Sequence, residues 1–565
     1  MSEIYGICVA EAVRLLPSQE FDEMASQRVA VIGAGISGLC AIKSCLEEGL
    51  NPVCYEIGNN VGGLWNYSEE VIHGRGSVMR STVINISKEM MSFSDFPMPA
   101  SAPNYLRHAE YNKYLARYAD ANDLKRYINF EREVLSVKKS DDHERSGKWT
   151  LRVKGKNEAE SKAIRENFDF VLVCSGMHGR PNIPKFPGIE KFGGKIVHAH
   201  GVRNTDGFEE KRVVVVGLGN TGGDVSVELG NVASQVYLST RSGAWIFNRC
   251  SSPKGYPVDF DLVSRRVAAS FTYLPTSWAI SNIENLSERV FRNFQFGITP
   301  IARAHQMEPM FNDYLHTSVM QGKIIIHGDI KDFTKNGVEF ENGTNVEDID
   351  IIVMATGYDL RYPFLDKDIL DVQNNKTELY NFCIPPDHQH HTMAIIGCIQ
   401  PNGPVPMTVE LQTRYAARVF KKLITLPSCE DMHESLRQRK EASKARFRDT
   451  MKNAVRSDIL PYCDVIAEAI GCKPDLGKML FTDPSLAWQC FFGPVLPFQY
   501  RLRGPGKWDG AREAILTMWD RILPANKNGT TVKSSSSTIS LPLLIPFFAM
   551  LLLPILLCVA LCGWM

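Results

Sequence analysis

Arg28-Val-Ala-Val-Ile-Gly-Ala-Gly-Ile-Ser-Gly38 runs from a five-residue buried-strand pattern into Gly33-x-Gly35-x-x-Gly38. A helical stretch to Glu48 follows, and then a second strand pattern, Pro52-Val-Cys-Tyr-Glu56, which ends in an acid 21 residues after Gly35. Strand, glycines, helix, strand and acid in this order form a complete dinucleotide fingerprint. The glycines allow a tight turn and close backbone approach, the helix start at Ile36 and Ser37 receives a pyrophosphate, and the carboxylate takes ribose hydroxyls. Gly62-Gly63-Leu64-Trp65, just past Glu56, adds a second close-approach loop. The unit predicts an α/β fold with a Rossmann-like sheet.

The same grammar returns at Lys211-Arg-Val-Val-Val-Val-Gly217-Leu-Gly219-Asn220-Thr221-Gly222, followed by a helix through Leu229 and the strand Gln235-Val-Tyr-Leu-Ser-Thr240-Arg241. Thr240 and Arg241 stand where the first copy has Glu56. A carboxylate there would repel a 2′-phosphate, whereas a hydroxyl and a guanidinium bind it by charge-assisted hydrogen bonds. The second turn therefore fits NADP and the first an unphosphorylated ribose such as that of FAD. Two different dinucleotides in one chain point to reduction of a flavin by a nicotinamide. Val171-Leu-Val-Cys-Ser-Gly176 and Ile349-Asp-Ile-Ile-Val-Met-Ala-Thr-Gly357-Tyr358 read as crossings between the two units. The expected organisation is an N-terminal extension (1–27), a first FAD part (28–178), an inserted NADP domain (179–330) and a second FAD part with a C-terminal cap (331–523).

Composition excludes several alternatives. Lys plus Arg and Asp plus Glu both number 63, with no basic stripe, so nothing marks a nucleic-acid binder. Fourteen scattered cysteines in 565 residues do not form a disulfide framework. The N-terminus lacks the basic region of a secretory signal. A polar linker at 524–540 leads to 541–563, a run of 23 residues without a charged or polar side chain. At 1.5 Å per residue it covers about 34 Å, enough to cross a hydrocarbon core. Arg521, Lys527 and Lys533 precede it, so it reads as a single transmembrane tail anchor with the catalytic body in the cytosol.

Taken together these motifs resemble the flavin-containing monooxygenases of the membrane-bound animal type. The resemblance covers residues 28–522 and includes both glycine turns, Ala355-Thr-Gly-Tyr358, Asn85-Ile-Ser-Lys-Glu-Met-Met, Ser94-Asp-Phe-Pro97, Gly255-Tyr-Pro257 and Tyr500-Arg-Leu-Arg-Gly-Pro-Gly-Lys-Trp508. The family pattern Phe-x-Gly-x-x-x-His is present at Phe192, Gly194 and His198, but Val202 replaces the aromatic residue expected four positions later. The resemblance implies FAD and NADPH as cofactors and dioxygen as co-substrate. It also implies an endoplasmic reticulum location and oxygen transfer from a flavin C4a-hydroperoxide to nitrogen or sulfur of small lipophilic amines or sulfides. Asn85 then corresponds to the family asparagine beside the flavin ring, where its amide can donate to the oxygenated intermediate. Baeyer–Villiger oxygenation of ketones and uncoupled NADPH oxidation to hydrogen peroxide remain open alternatives.

Other patterns carry less. Cys40 and Cys45 lie about 140° apart on the expected helix, so their thiols do not face each other. His388, His390 and His391 follow two prolines and read as a solvated turn, not a metal site. The aromatics between about 250 and 310 fit either a membrane-lying insertion or core packing. No protein partner is inferable.

Overall fold

The computed structural model describes residues 27–522 except 251–254 and 274. The expected tail anchor at 541–563, the linker before it and nearly all of the N-terminal extension lie outside the described residues. Among the described residues no helix is long and apolar enough to cross a membrane.

Ten parallel strands build two sheets. In chain order they are β1 (Arg28–Ile32), β2 (Asn51–Glu56), β3 (Ile128–Phe130), β4 (Phe170–Val173), β5 (Lys195–His198), β6 (Arg212–Val216), β7 (Gln235–Ser239), β8 (Ile324–His327), β9 (Ile351–Met354) and β10 (Met393–Ile395). The first sheet has the order β10-β4-β1-β2-β3 and the second β8-β7-β6-β9-β5. Each sheet therefore has a glycine-turn strand, β1 or β6, at its centre. The strand after the turn helix, β2 or β7, lies on one flank.

Every strand of the second sheet falls between β4 and β10 in sequence, so the first sheet is discontinuous and the second inserted. The return lies later than expected. The motif spacing puts the start of the second FAD part at residue 331, yet β9 pairs with both β6 and β5 inside the second sheet. An antiparallel meander, Ile330–Phe333, Val338–Phe340 and Asn345–Val346, separates β8 from β9. The first half has its counterpart in the same place, Arg132–Lys139, Trp149–Gly155 and Ile164–Phe168 between β3 and β4. The meander, not a boundary, occupies residues just past 330.

Val213, Val215 and Leu238 point into one core, and Val214, Val216 and Tyr237 into another on the opposite face. This is the two-sided burial that continuous apolar strands require. In the first half, helix α1 (Ile36–Glu47) packs against α2 (Val405–Phe420), with Ser44 Oγ 3.0 Å from Thr413 Oγ1 and Arg418 Nη1 2.8 Å from Glu48 Oε1. The two crossings lie side by side. Asn182 N donates to Gly357 O at 3.0 Å, and Pro181 bridges Tyr358.

The aromatic stretch is part core and part surface. Phe247 and Phe291 are buried, whereas Tyr273, Trp278 and Phe294 are exposed. Cys40 and Cys45 are free and buried, and burial pushes both thiols up.

Candidate active site

The two glycine turns have the same geometry. Gly33 and Gly217 adopt φ +101° and +108°, conformations that side-chain-bearing residues rarely take. A Cβ on either would meet the carbonyl oxygen of Cys174 at 2.7 Å or of Ala355 at 2.6 Å. Gly38 and Gly222 leave equally little room, since a Cβ there would stand 1.9 Å from Gly33 O or Gly217 O. Strand, turn and helix are thus in backbone contact at both sites.

Gly35 and Gly219 hold the cap positions of α1 and of the helix Asn220–Leu229 in extended conformation, and neither helix start has a side-chain cap. Unpaired N–H groups at a helix start form an anion cradle. A Cβ on Gly63 would lie 3.1 Å from Gly35 Cα, so the second glycine loop closes over the first with no room for a side chain between them. Leu64 and Trp65 follow in this loop, half-buried, with Trp65 edge-on to Tyr111 at 5.0 Å. Both cradles fit a dinucleotide.

Glu56 is buried and divides its carboxylate between two turns. Oε2 accepts Ala34 N–H and Oε1 accepts Gly58 N–H, each at 2.7 Å. At the second site Thr240 is buried, and Arg241 is exposed with no partner among the described residues. Asn220 is already engaged, because its Oδ1 accepts Phe311 N–H at 2.8 Å, whereas Thr221 is exposed.

Asn85 lies half-buried in a loop, and its side chain makes no hydrogen bond to any described residue. A turn asparagine would accept the N–H two residues on. Here Ser87 N–H instead donates to Asp259 Oδ2 at 2.9 Å. The Asn85 amide is left for something other than its own turn.

The Phe192–His198 motif acts through the backbone. His198 Nδ1 accepts His200 N–H at 3.0 Å, which leaves Nε2 to donate to Gly357 O at 3.0 Å. This ties the edge strand β5 to the second crossing. Val202 is buried with Met79 and Phe208 in the second core.

Two cations near the cradles are not marked by any motif. Arg75 Nη1 lies 3.0 Å from a Cβ built on Gly58, beside the Glu56 carboxylate. Lys452 Nζ lies 3.5 Å from a Cβ built on Gly219 and pairs with Glu308 at 2.8 Å. Lys452 reaches the second turn from the C-terminal third of the chain, so local sequence patterns carry no trace of it.

His388 is buried, not solvated as expected. It bonds Ile369 O at 3.0 Å and packs against Trp149. A different group, Asp387, Cys429 and His433, comes together on the surface. There His433 Nε2 already bonds Asp387 Oδ1 at 2.7 Å, which accounts for the convergence without an ion. Cavities of about 270 Å³ beside Arg501 and about 660 Å³ beside Arg439 are lined by no residue of either glycine turn.

Comparison with known proteins agrees with this arrangement. A family model described as flavin-binding monooxygenase-like matches residues 26–561. Flavin-containing monooxygenase 5 of Oryctolagus cuniculus is 43% identical over 519 residues, covering 91% of this chain and 96% of its own. The Homo sapiens protein of the same name is 41% identical over 536 residues, covering 94% and 99%. Dimethylaniline monooxygenase [N-oxide-forming] 2 of Oryctolagus cuniculus is 42% identical over 517 residues, covering 91% and 96%. Among solved structures, S-allyl-L-cysteine S-oxygenase from Allium sativum shares the fold with a TM-score of 0.61 at 22% identity, covering 88% of this chain and 98% of that one. With two dinucleotide cradles in one body and a family match across nearly the whole sequence, this chain belongs to the flavin-binding monooxygenases: it is an enzyme whose cofactors are FAD and a nicotinamide dinucleotide.

Proposed function

We propose that the chain is an NADPH- and dioxygen-dependent oxygenase that transfers one oxygen atom to a soft nitrogen or sulfur of small lipophilic substrates. The observation that carries this reading is the pair of matching turns, one followed by an acid and the other by Thr240 and Arg241. FAD belongs at the first turn and NADPH at the second. When bound, FAD supplies the electron-transfer and dioxygen chemistry. The chain supplies position. The uncapped start of α1 holds a pyrophosphate, with Glu56 fixing the turn that presents it. Arg241 holds a 2′-phosphate, and Asn85 offers an amide donor where negative charge develops. The two sheets act as two nucleotide domains, joined at the paired crossings.

Similarity to an N-oxide-forming relative supports nitrogen as an acceptor. The apolar segment at 541–563 anchors the body to the endoplasmic reticulum membrane in this reading, and exposed Tyr273, Trp278 and Phe294 add a lipophilic rim. The test is to supply NADPH, oxygen and in turn a tertiary amine, a sulfide and a ketone, and to measure NADPH consumed, oxygenated product and hydrogen peroxide. N-oxide or sulfoxide matching NADPH consumption is the expected result. Ester from the ketone alone would favour Baeyer–Villiger chemistry, and stoichiometric peroxide with every substrate would mean an oxidase.

A further inference from the structure

The loop that carries Asn85 belongs to the first half of the chain, yet it is held from the second. Asp259, in the short helix Val258–Leu262, accepts Ser87 N–H at 2.9 Å and Ser87 Oγ–H at 2.6 Å, both on Oδ2. Arg249 donates from Nε to Ile84 O at 3.1 Å and from Nη2 to Val83 O at 3.3 Å. Four hydrogen bonds thus bracket Asn85 on both sides, and all come from the segment between β7 and β8. Ser87 and Asp259 are at most 1% exposed, so no water competes for these bonds.

The clamp is itself braced. Arg249 pairs with Asp313 through Nη1 at 2.7 Å and through its backbone N–H at 2.8 Å, and its carbonyl accepts Tyr105 Oη–H. Val258 N–H donates to Arg249 O at 2.9 Å, which couples the two clamping residues. Fixing an asparagine's backbone while leaving its amide free is how a rigid scaffold presents a single donor.

We propose that Asp259 and Arg249 are positioning residues that lock the Asn85 loop to the inserted nucleotide unit, so that Asn85 is correctly aimed only when the two halves are assembled. The inference rests on the reading of Asn85 as the donor beside the flavin. Burial pushes the Asp259 carboxyl up to about 6, against the two Ser87 hydrogen bonds that hold it down.

The variants are Asp259→Ala, Asp259→Asn and Ser87→Ala in the full-length flavin-loaded enzyme. Amide hydrogen exchange of residues 83–88 is measured alongside the fraction of NADPH electrons recovered as peroxide. Asp259→Ala removes both Ser87 bonds, so exchange at 83–88 rises about tenfold or more. The peroxide fraction rises with it and kcat for product falls. Asp259→Asn keeps a carbonyl oxygen to accept both bonds but buries an amide N–H where Asp259 Oδ1 has no partner, so it falls between wild type and Asp259→Ala as a partial rescue. Ser87→Ala, the variant to use if Asp259→Ala does not fold, gives an intermediate effect on both readouts.

Unchanged exchange in Asp259→Ala, or in Ser87→Ala where that stands in for it, overturns the clamp. Faster exchange with wild-type coupling overturns the positioning role, and so does Asp259→Asn behaving like Asp259→Ala. If Asn85→Ala couples like wild type, the reading of Asn85 fails and takes the positioning role with it, while exchange at 83–88 separately decides whether the clamp exists.

Discussion

Arg501 Nη2 lies 2.9 Å from Glu410 Oε1, and both side chains are at most 4% exposed. Arg501 also donates from Nε to Ser94 Oγ at 2.7 Å and from Nη1 to Gly506 O at 2.8 Å. The pair therefore joins the Ser94 loop, helix α2 and the C-terminal block in one buried network. Removing one partner takes away the other's nearest opposite charge, although Arg501 still faces Asp95 at 3.4 Å and Glu47 at 3.5 Å, so the cost stays below the about 3–5 kcal/mol of a fully isolated buried charge. Arg501→Met and Glu410→Gln should each lower the melting temperature sharply. The double variant should lose less than the sum of the two, and a double-mutant cycle in thermal melts checks this. Additive losses would mean that the two side chains do not act as a pair.

The glycine turns make a sharper prediction. Gly38→Ala and Gly222→Ala each place a methyl 1.9 Å from a carbonyl oxygen of the preceding turn, so helix and strand must separate. Overpacking of this kind costs about 1–3 kcal/mol or more. Gly38→Ala should purify with its flavin content strongly reduced. Gly222→Ala should keep its flavin and lose affinity for the nicotinamide nucleotide. Flavin absorbance per protein and nucleotide titration read the two effects separately, and an equal loss of flavin in both variants would contradict the assignment of FAD to the first turn.

The proposed preference for NADPH turns on Arg241. Its guanidinium is exposed and without a partner among the described residues, so it is available to a 2′-phosphate. A charge-assisted bond contributes about 1.5–3 kcal/mol, which corresponds to roughly 10- to 150-fold. Arg241→Ala should lower kcat/KM for NADPH by that order and leave the value for NADH nearly unchanged. Thr240→Glu, which restores the acid of the first copy, should move the preference further toward NADH. Steady-state kinetics with both nucleotides decide it, and a parallel loss with NADPH and NADH would show that Arg241 acts on something other than the 2′-phosphate.

What the sequence displayed and what it concealed follow from the range over which each feature is encoded. The two strand–glycine–helix units are contiguous, so spacing and apolar runs expose them directly, including Glu56 at its distance from Gly35. The run of β9 is legible, but the sheet it joins is concealed, because a meander separates it from β8 and a meander leaves no signal that distinguishes it from a domain boundary. Asp259, Lys452 and Arg75 reach their partners through the fold, from segments whose own periodicity says nothing about either cradle. The burial of His388 is hidden for the same reason: its cover is Trp149, supplied by a strand of the first meander.

Part of the acid sensitivity should come from the junction of the two halves. His200 is 5% exposed, bonds Ser77 Oγ through Nδ1 at 3.2 Å and stands 5.7 Å from the Tyr358 ring. Burial, with His198, Arg203 and His73 nearby, lowers its pKa from about 6.5 to about 4. A base whose folded pKa is depressed is neutral in the fold, whereas the unfolded chain takes up its proton first as the pH drops below 6.5. The stability this neutral ring contributes is thus complete above that value and is lost progressively as the pH falls toward 4, by on the order of 1–3 kcal/mol. His200→Gln keeps a neutral polar side chain that does not titrate. Its melting temperature should therefore fall less steeply than that of the wild type between pH 6.5 and 4.5, while the two proteins differ little in slope above pH 7. Parallel slopes across the acid range would assign the sensitivity to other groups at the junction, of which His198, also shifted downward by burial, would be the next to replace.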